Sequence, residues 1–257
     1  MSRMEASFAG VSGIAEPAAA TAWRADAADR VWLHYQVWGL LVAAILLLLI
    51  FENSRLDLTL SALAFDPVLG HFPMQRHWFF SEVMHHGLKT VSYILAIPVL
   101  AIAVLGHLGH IDWLPPRNAR LAGLGMILIP LATVLLKLIT NRHCPWDVVD
   151  FGGYAPYVSL FASTPETIVR GACFPAGHAS GGFVWMIWGL ALRATRPRWA
   201  NWTLLAGIVF GLLMGWARLM QGAHFLSHVL WSGWLAWALA IALAVALRAP
   251  VLNKAAD

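Results

Sequence analysis

Histidine, arginine and lysine gather in three short stretches of an otherwise strongly apolar chain. One runs Cys173-Phe174-Pro175-Ala176-Gly177-His178-Ala179-Ser180-Gly181-Gly182, from a polar loop straight into an apolar segment. Pro175 suits the first turn of a helix, where a missing N–H costs nothing. Gly177, Gly181 and Gly182 leave the backbone open to close approach. A helix beginning here would aim free N–H groups and a positive dipole end at whatever sits above it, and phosphate is the usual guest. His178 falls in that first turn. Alone, the stretch reads equally well as a glycine-rich helix start with an incidental histidine. Two further stretches tilt the balance: Lys137 to Pro145, and Arg218 through His224 to His228. Basic side chains beside a helix N-terminus make an oxyanion site. Histidine supplies nucleophilic or acid–base chemistry near neutral pH.

These residues need a scaffold, and the composition says which kind. The chain has 257 residues, of which 60% are hydrophobic and 12% charged, with 14 tryptophans. That is too apolar for a soluble domain of this length and predicts an all-α, polytopic membrane protein. A net charge of +4, dispersed along the chain, does not suggest nucleic acid as a partner. Six apolar runs serve as spans: Val31–Phe51, Leu88–Leu105 with Pro98 as a kink, Ala119–Leu138, Ala179–Leu192, Trp202–Ala217 and Phe225–Leu247. A span takes about 20 residues, so the fourth and fifth are short and must extend into flanking polar sequence; the fourth needs its helix to start near Pro175. Residues 1–30 lack the basic-then-apolar order of a signal peptide and read as a disordered tail. Residues 31–250 then form the six-helix domain and 251–257 a second tail.

Six spans put both termini on one face. Arg24, Arg30, Arg117, Arg120, Arg193, Arg196, Arg198, Arg248 and Lys254 all fall on that face, which is therefore cytoplasmic. Two long loops, roughly 52–87 and 139–177, and the three basic stretches lie on the opposite, external face. That face carries Arg55, Arg76, Lys89, Lys137, Arg142, Arg170 and Arg218, balanced in number by Glu52, Asp57, Asp66, Glu82, Asp147, Asp150 and Glu166; several of these bases lie against membrane ends, which asks for a functional reason. His85 and His86 read as interfacial polar residues rather than ligands, and Arg170 as a loop charge.

In order, spacing and sidedness the three stretches resemble the motifs of the type 2 phosphatidic acid phosphatase superfamily: Lys-x6-Arg-Pro, Pro-Ser-Gly-His and Ser-Arg-x5-His-x3-Asp. The resemblance extends to the six-span layout. It implies a metal-independent membrane lipid phosphatase without cofactors. His224 would be the nucleophile that forms a phosphohistidine, and His178 the general acid. Lys137 and Arg218, with the backbone at Ala176 and Gly177, would hold the phosphoryl group. The substrate implied is a phosphorylated membrane lipid, a monoester or diphosphate, cleaved at the outer (periplasmic) face of a bacterial inner membrane.

Four positions depart from the motifs. Cys144 stands where the family has Arg, so Arg142, two residues earlier, is the candidate to supply that charge. Ala176 and Ala217 replace two serines. His228 replaces the Asp that orients the nucleophile; a neutral histidine can accept the same hydrogen bond but brings no negative charge, and Asp147 or Asp150 could stand in. The departures keep open a weakly catalytic phospholipid-binding member, and the same site could also pass its phosphoryl group to a lipid acceptor rather than to water, as a lipid phosphotransferase. His224 and His228, one helical turn apart, also leave a zinc site open as a minor alternative. Finally, Cys144 and Cys173 share one external loop, and the site needs their two motifs side by side. The expectation is a disulfide closing about 30 residues, worth roughly 3–4 kcal/mol in the chain-entropy model, with two reduced thiols as the alternative.

Overall fold

The computed structural model describes residues 27–252 other than Ser163; most of the expected N-terminal tail and the last five residues of the C-terminal one lie outside the described residues. The described chain is helical. Helix α1 spans Ala27–Glu52 and α2 spans Leu56–Ala62. A π-helix, Phe79–Gly87, runs without a break into α3, Leu88–His107. Then come α4 (Pro116–Thr140), α5 (Gly177–Phe183), α6 (Met186–Ala191), α7 (Pro197–Met220) and α8 (Leu226–Ala246).

Among the described residues, five helices are long and apolar enough to cross a membrane: those at 29–52, 79–107, 116–147, 197–220 and 226–246. The chain is thus an all-α, multi-pass membrane protein. The expected fifth span does reach into polar sequence, beginning at Pro197. The expected fourth differs. It is two short helices, α5 and α6, meeting at Val184-Trp185, and it starts at Gly177 with Pro175 outside the helix.

Packing explains the interruption. Helices α5 and α6 lie in the middle of the bundle, against α4, α7 and α8, and every residue of α6 is buried. A Cβ on Gly182 would sit 2.5 Å from the Cα of Gly211, so the backbones of α5 and α7 are nearly in touch. Gly207, Gly211 and Gly215 repeat this small face every fourth residue of α7, the spacing that lets membrane helices approach closely. Polar ties complete the fit. Thr133 of α4 donates to the Ser180 hydroxyl at 2.9 Å, Ser92 of α3 donates to the Gly181 carbonyl at 3.1 Å, and Ser232 of α8 donates to the Ala176 carbonyl at 3.2 Å. In apolar surroundings such groups must find protein partners.

The two long loops build an ordered layer above one end of the bundle. Phe65, Phe72 and Phe151 meet at 5.2–5.4 Å, Phe72 edge to face with the other two. With Leu58, Val148 and Phe225 they form a second small core, and Arg55 of the first loop pairs with Asp150 of the second at 2.7 Å.

The contact between α5 and α7 yields a paired prediction. Gly182→Ala puts a methyl group into backbone that cannot yield, and should cost about 1–3 kcal/mol of stability. Gly181→Ala, one residue earlier, faces open space and should be nearly neutral. Thermal unfolding of the two detergent-purified variants checks this; equal melting temperatures would contradict the packing account.

Candidate active site

The three basic stretches converge where α4 and α7 end and where α5 and α8 begin. On α4, Lys137 sits in the last turn, and its Cε and Nζ pass over the start of α5, 3.5 Å from where a Cβ on Gly177 would lie. His178 is the second residue of α5. Arg218 lies in the last turn of α7, donates from Nη1 to Gln221 Oε1 at 2.7 Å, and holds its guanidinium 5.7 Å from the Trp146 ring centre.

Between α7 and α8 the chain turns tightly. Gly222 has φ 67°, and a side chain there would run into the Phe72 ring, so both backbone and space require glycine. The turn closes with Ala223 N–H donating to the Arg218 carbonyl and is pinned from the second loop by Trp146 N–H donating to Gly222 O at 3.0 Å. His224 emerges buried, 4% exposed, and its Nδ1 has no protein partner among the described residues. Nε2 of His178 and Nε of Arg218 are buried in the same unpartnered way. Burial, and after it the fields of His228, Lys137, Arg218 and His178, hold the His224 imidazole well below the ordinary histidine range. That shift favours the neutral ring, and one ring nitrogen has no partner among the described residues: the state in which a histidine can act as a nucleophile.

Other expected site residues go elsewhere. Asn141 ends α4 in the left-handed conformation, φ 42°, which swings Arg142 away from Lys137. Arg142 instead donates to the Leu160 and Ala162 carbonyls and is 7% exposed. The Ala176 amide donates to the His228 carbonyl at 3.3 Å, which leaves Gly177 and His178 at the open end of the helix. The His228 ring lies edge-on to His224 with centroids 6.0 Å apart, and its Nδ1, like that of His224, has no partner among the described residues; its ring bonds the Cys173 backbone instead. Asp147 accepts from the Cys144 amide and Asp150 pairs with Arg55, so neither carboxylate is turned toward His224. Arg170 donates to the Leu138 carbonyl.

Cys144 and Cys173 are bonded as a disulfide with Cα atoms 5.3 Å apart. Together with Asp147 they are the one convergence of metal-type ligands among the described residues, and as a disulfide the sulfurs are not thiolates.

Two groups escaped the sequence reading. His85, which reads from the sequence as an interfacial polar residue, lies with its ring tilted against that of His178, centroids 4.1 Å apart. The available signal was Lys89 on the same membrane end. Asp57, 2% exposed, accepts from both the amide and the hydroxyl of Ser227 in the first turn of α8. An anion at that position suits the helix dipole. It faces Glu52 and Tyr157, across a cavity of about 30 Å³ also lined by Arg142 and His228. Asp57 thus fixes the helix start from which the His224 turn hangs.

Burial raises the Asp57 carboxyl to about 6, with the Ser227 hydrogen bonds opposing. The folded chain therefore holds this proton more tightly than the unfolded chain does. The cost of the buried charge is absent below pH 4 and complete above pH 6. Asp57→Asn removes the titration, so wild-type minus variant melting temperature should fall between pH 4 and pH 7. A pH-independent difference would mean that Asp57 titrates normally.

A family model described as the PAP2 superfamily matches residues 118–250, which contain all three basic stretches. Among solved structures, the chain is similar to that of a transmembrane PAP2 type phosphatidylglycerolphosphate phosphatase from Bacillus subtilis. The two are 19% identical, the match covers 84% of this chain and 94% of that one, and the TM-score is 0.46. No curated protein matches the chain.

Proposed function

This chain belongs to the PAP2 superfamily, and from that premise we propose that it is a membrane lipid phosphatase working through a phosphohistidine. The observation that supports this most is the surround of His224: a neutral, buried imidazole that feels Lys137, Arg218 and His178 at once, with no carboxylate among them. Such a surround favours an anion, and a phosphoryl group provides one with an electrophilic centre.

In this reading Lys137 and Arg218 hold the non-bridging oxygens, joined by the backbone at Gly177. A His224 ring nitrogen attacks phosphorus. The bond from phosphorus to the leaving oxygen breaks, its electron pair goes to that oxygen, and His178 gives it a proton. Water then attacks the phosphohistidine and passes a proton to His178, releasing orthophosphate and restoring both histidines. The role of the family's orienting carboxylate falls to packing: Phe174 and Phe225 meet the His228 ring, each at 5.3 Å, and His228 in turn walls the His224 ring. Lipid tails would lie among the apolar helices.

We place the site on the outer, periplasmic face of a bacterial cytoplasmic membrane, with both termini inside. The arginines of the short loops at the opposite end support this orientation, as does the disulfide beside the site, since such bonds persist in oxidising compartments. Thiol labelling of unreduced, denatured protein from native membranes should find no free thiol; two per chain would place the loop in a reducing compartment.

His224→Ala and His178→Ala should each abolish phosphate release from lipid phosphates in detergent micelles while leaving the fold intact. Lys137→Ala and Arg218→Ala should lower kcat/KM by about 10²–10³, the scale of one transition-state contact. Because protonation silences the nucleophile and His224 is held below its usual range, the acid limb of kcat/KM should lie below the ~6.5 of an ordinary histidine. EDTA should not change the rate. Substantial turnover in His224→Ala would sink the mechanism, and transfer to a lipid acceptor without orthophosphate would identify a phosphotransferase.

A further inference from the structure

The phosphoryl site has two sides. His224 feels His228, Lys137, Arg218 and His178. The His85 ring centre lies 4.1 Å from that of His178, whereas the His224 ring meets that of His228, and His178 also feels the Lys89 charge. In the phosphatase reading His178 gives its proton to the leaving oxygen, so groups packed against His178 flank the leaving group. Attack on phosphorus is in line, so the side away from the nucleophile is where the leaving group departs.

That side is built for an anion. The imidazole of His85 lies tilted against that of His178, centroids 4.1 Å apart, and the His86 ring is 4.6 Å from that of His85. Lys89 sits one turn further along, with its ammonium 5.7 Å from the Tyr93 ring centre. Facing His85 are Glu82, His86 and Lys89 from its own segment and Arg218 from α7. Glu82, which is exposed, is the single acid of that set. The carrier is a nine-residue π-helix, a rare form that recurs at functional sites; it sets His85 beside both His86 and His178.

A lipid monoester and a lipid diphosphate differ on this side. Cleaving a monoester releases a neutral alcohol, which gains nothing from cations. Cleaving the terminal phosphate of a diphosphate releases a lipid monophosphate, whose charge grows as the bridging bond breaks. Imidazole N–H groups and an ammonium donate to such oxygens. Resting on the phosphatase reading above, we infer that His85 and Lys89 form a leaving-group subsite for a second phosphate, and that the preferred substrate is a lipid diphosphate. The balance is simple: His224 attacks the terminal phosphorus, the bond to the bridging oxygen breaks with its electron pair, His178 protonates that oxygen, and lipid monophosphate departs past His85.

The test uses full-length protein in detergent with two substrates of one tail, a polyprenyl diphosphate and the matching monophosphate. Wild type should show at least tenfold higher kcat/KM on the diphosphate. His85→Ala and Lys89→Ala should each lose about tenfold on the diphosphate and stay within about twofold on the monophosphate. His85→Gln, which keeps an N–H donor, should recover part of the loss, and melting temperatures establish that the variants fold. Equal losses on both substrates, no loss on either, or a wild-type preference for the monophosphate would overturn the inference while leaving the phosphatase reading standing. Orthophosphate from neither substrate, or full turnover in His224→Ala, would overturn both.

Discussion

Everything at the site depends on holding seven residues of helix at one depth inside an apolar bundle. Helix α5 carries His178 and meets Lys137, yet it is too short to be anchored by its own hydrogen bonds. Three hydroxyls from three different helices do the anchoring, those of Thr133, Ser92 and Ser232, while Gly182 and Gly211 bring two backbones nearly into contact. In a medium without water these polar groups have few other places to go. That is why a handful of modest hydrogen bonds can set a catalytic geometry. The break between α5 and α6 follows, since a helix bound this closely on all sides must accommodate its neighbours locally.

The electrostatics of the site are lopsided. His224 is surrounded by Lys137, Arg218 and two histidines, while the nearest buried carboxylate the fold supplies, Asp57, is spent on the first turn of α8. The cations repel one another and stay together because the backbone holds them at helix ends. In the proposed reading an incoming phosphoryl group would relieve that repulsion, so affinity for the anion would be stored in the folded chain before any ligand arrives. Replacing the orienting carboxylate by His228 is consistent with this balance: packing between Phe174 and Phe225 positions the ring, and no further negative charge competes with the substrate.

The sequence made the cationic centre legible because its residues fall at fixed offsets from the ends of apolar runs, where helix geometry leaves little freedom. Lys137, His178, Arg218 and His224 needed only those runs to be helices. What stayed hidden depended on distant partners or unusual backbone. Asp57 bonds a serine 170 positions away, a pairing that no local pattern reports. Arg142 was misplaced because one left-handed residue, Asn141, redirects everything after it. His85 was undervalued because a 3.6-residue period sets side-chain directions that a π-helix does not follow. The fourth span was drawn as one helix because hydropathy counts apolar residues and is blind to how closely glycines admit a neighbour.

The end of the bundle away from the site closes in a different way. Asn118, at the start of α4, donates to both the Ala191 carbonyl of α6 and the Pro250 carbonyl beyond α8, at 2.8 and 3.0 Å. Nearby, the Leu252 amide donates to Asp29 in the first turn of α1 at 2.8 Å. One asparagine and one aspartate thus join the first, middle and last segments. During synthesis the ribosome delivers Asp29 and Asn118 long before Pro250 and Leu252 exist. Until then these particular contacts of Asn118 and Asp29 cannot form, and the bundle lacks the ties that run to the segment after α8. The segment after α8 thus acts as a clasp, and the bundle can lock only after its eighth helix has been made.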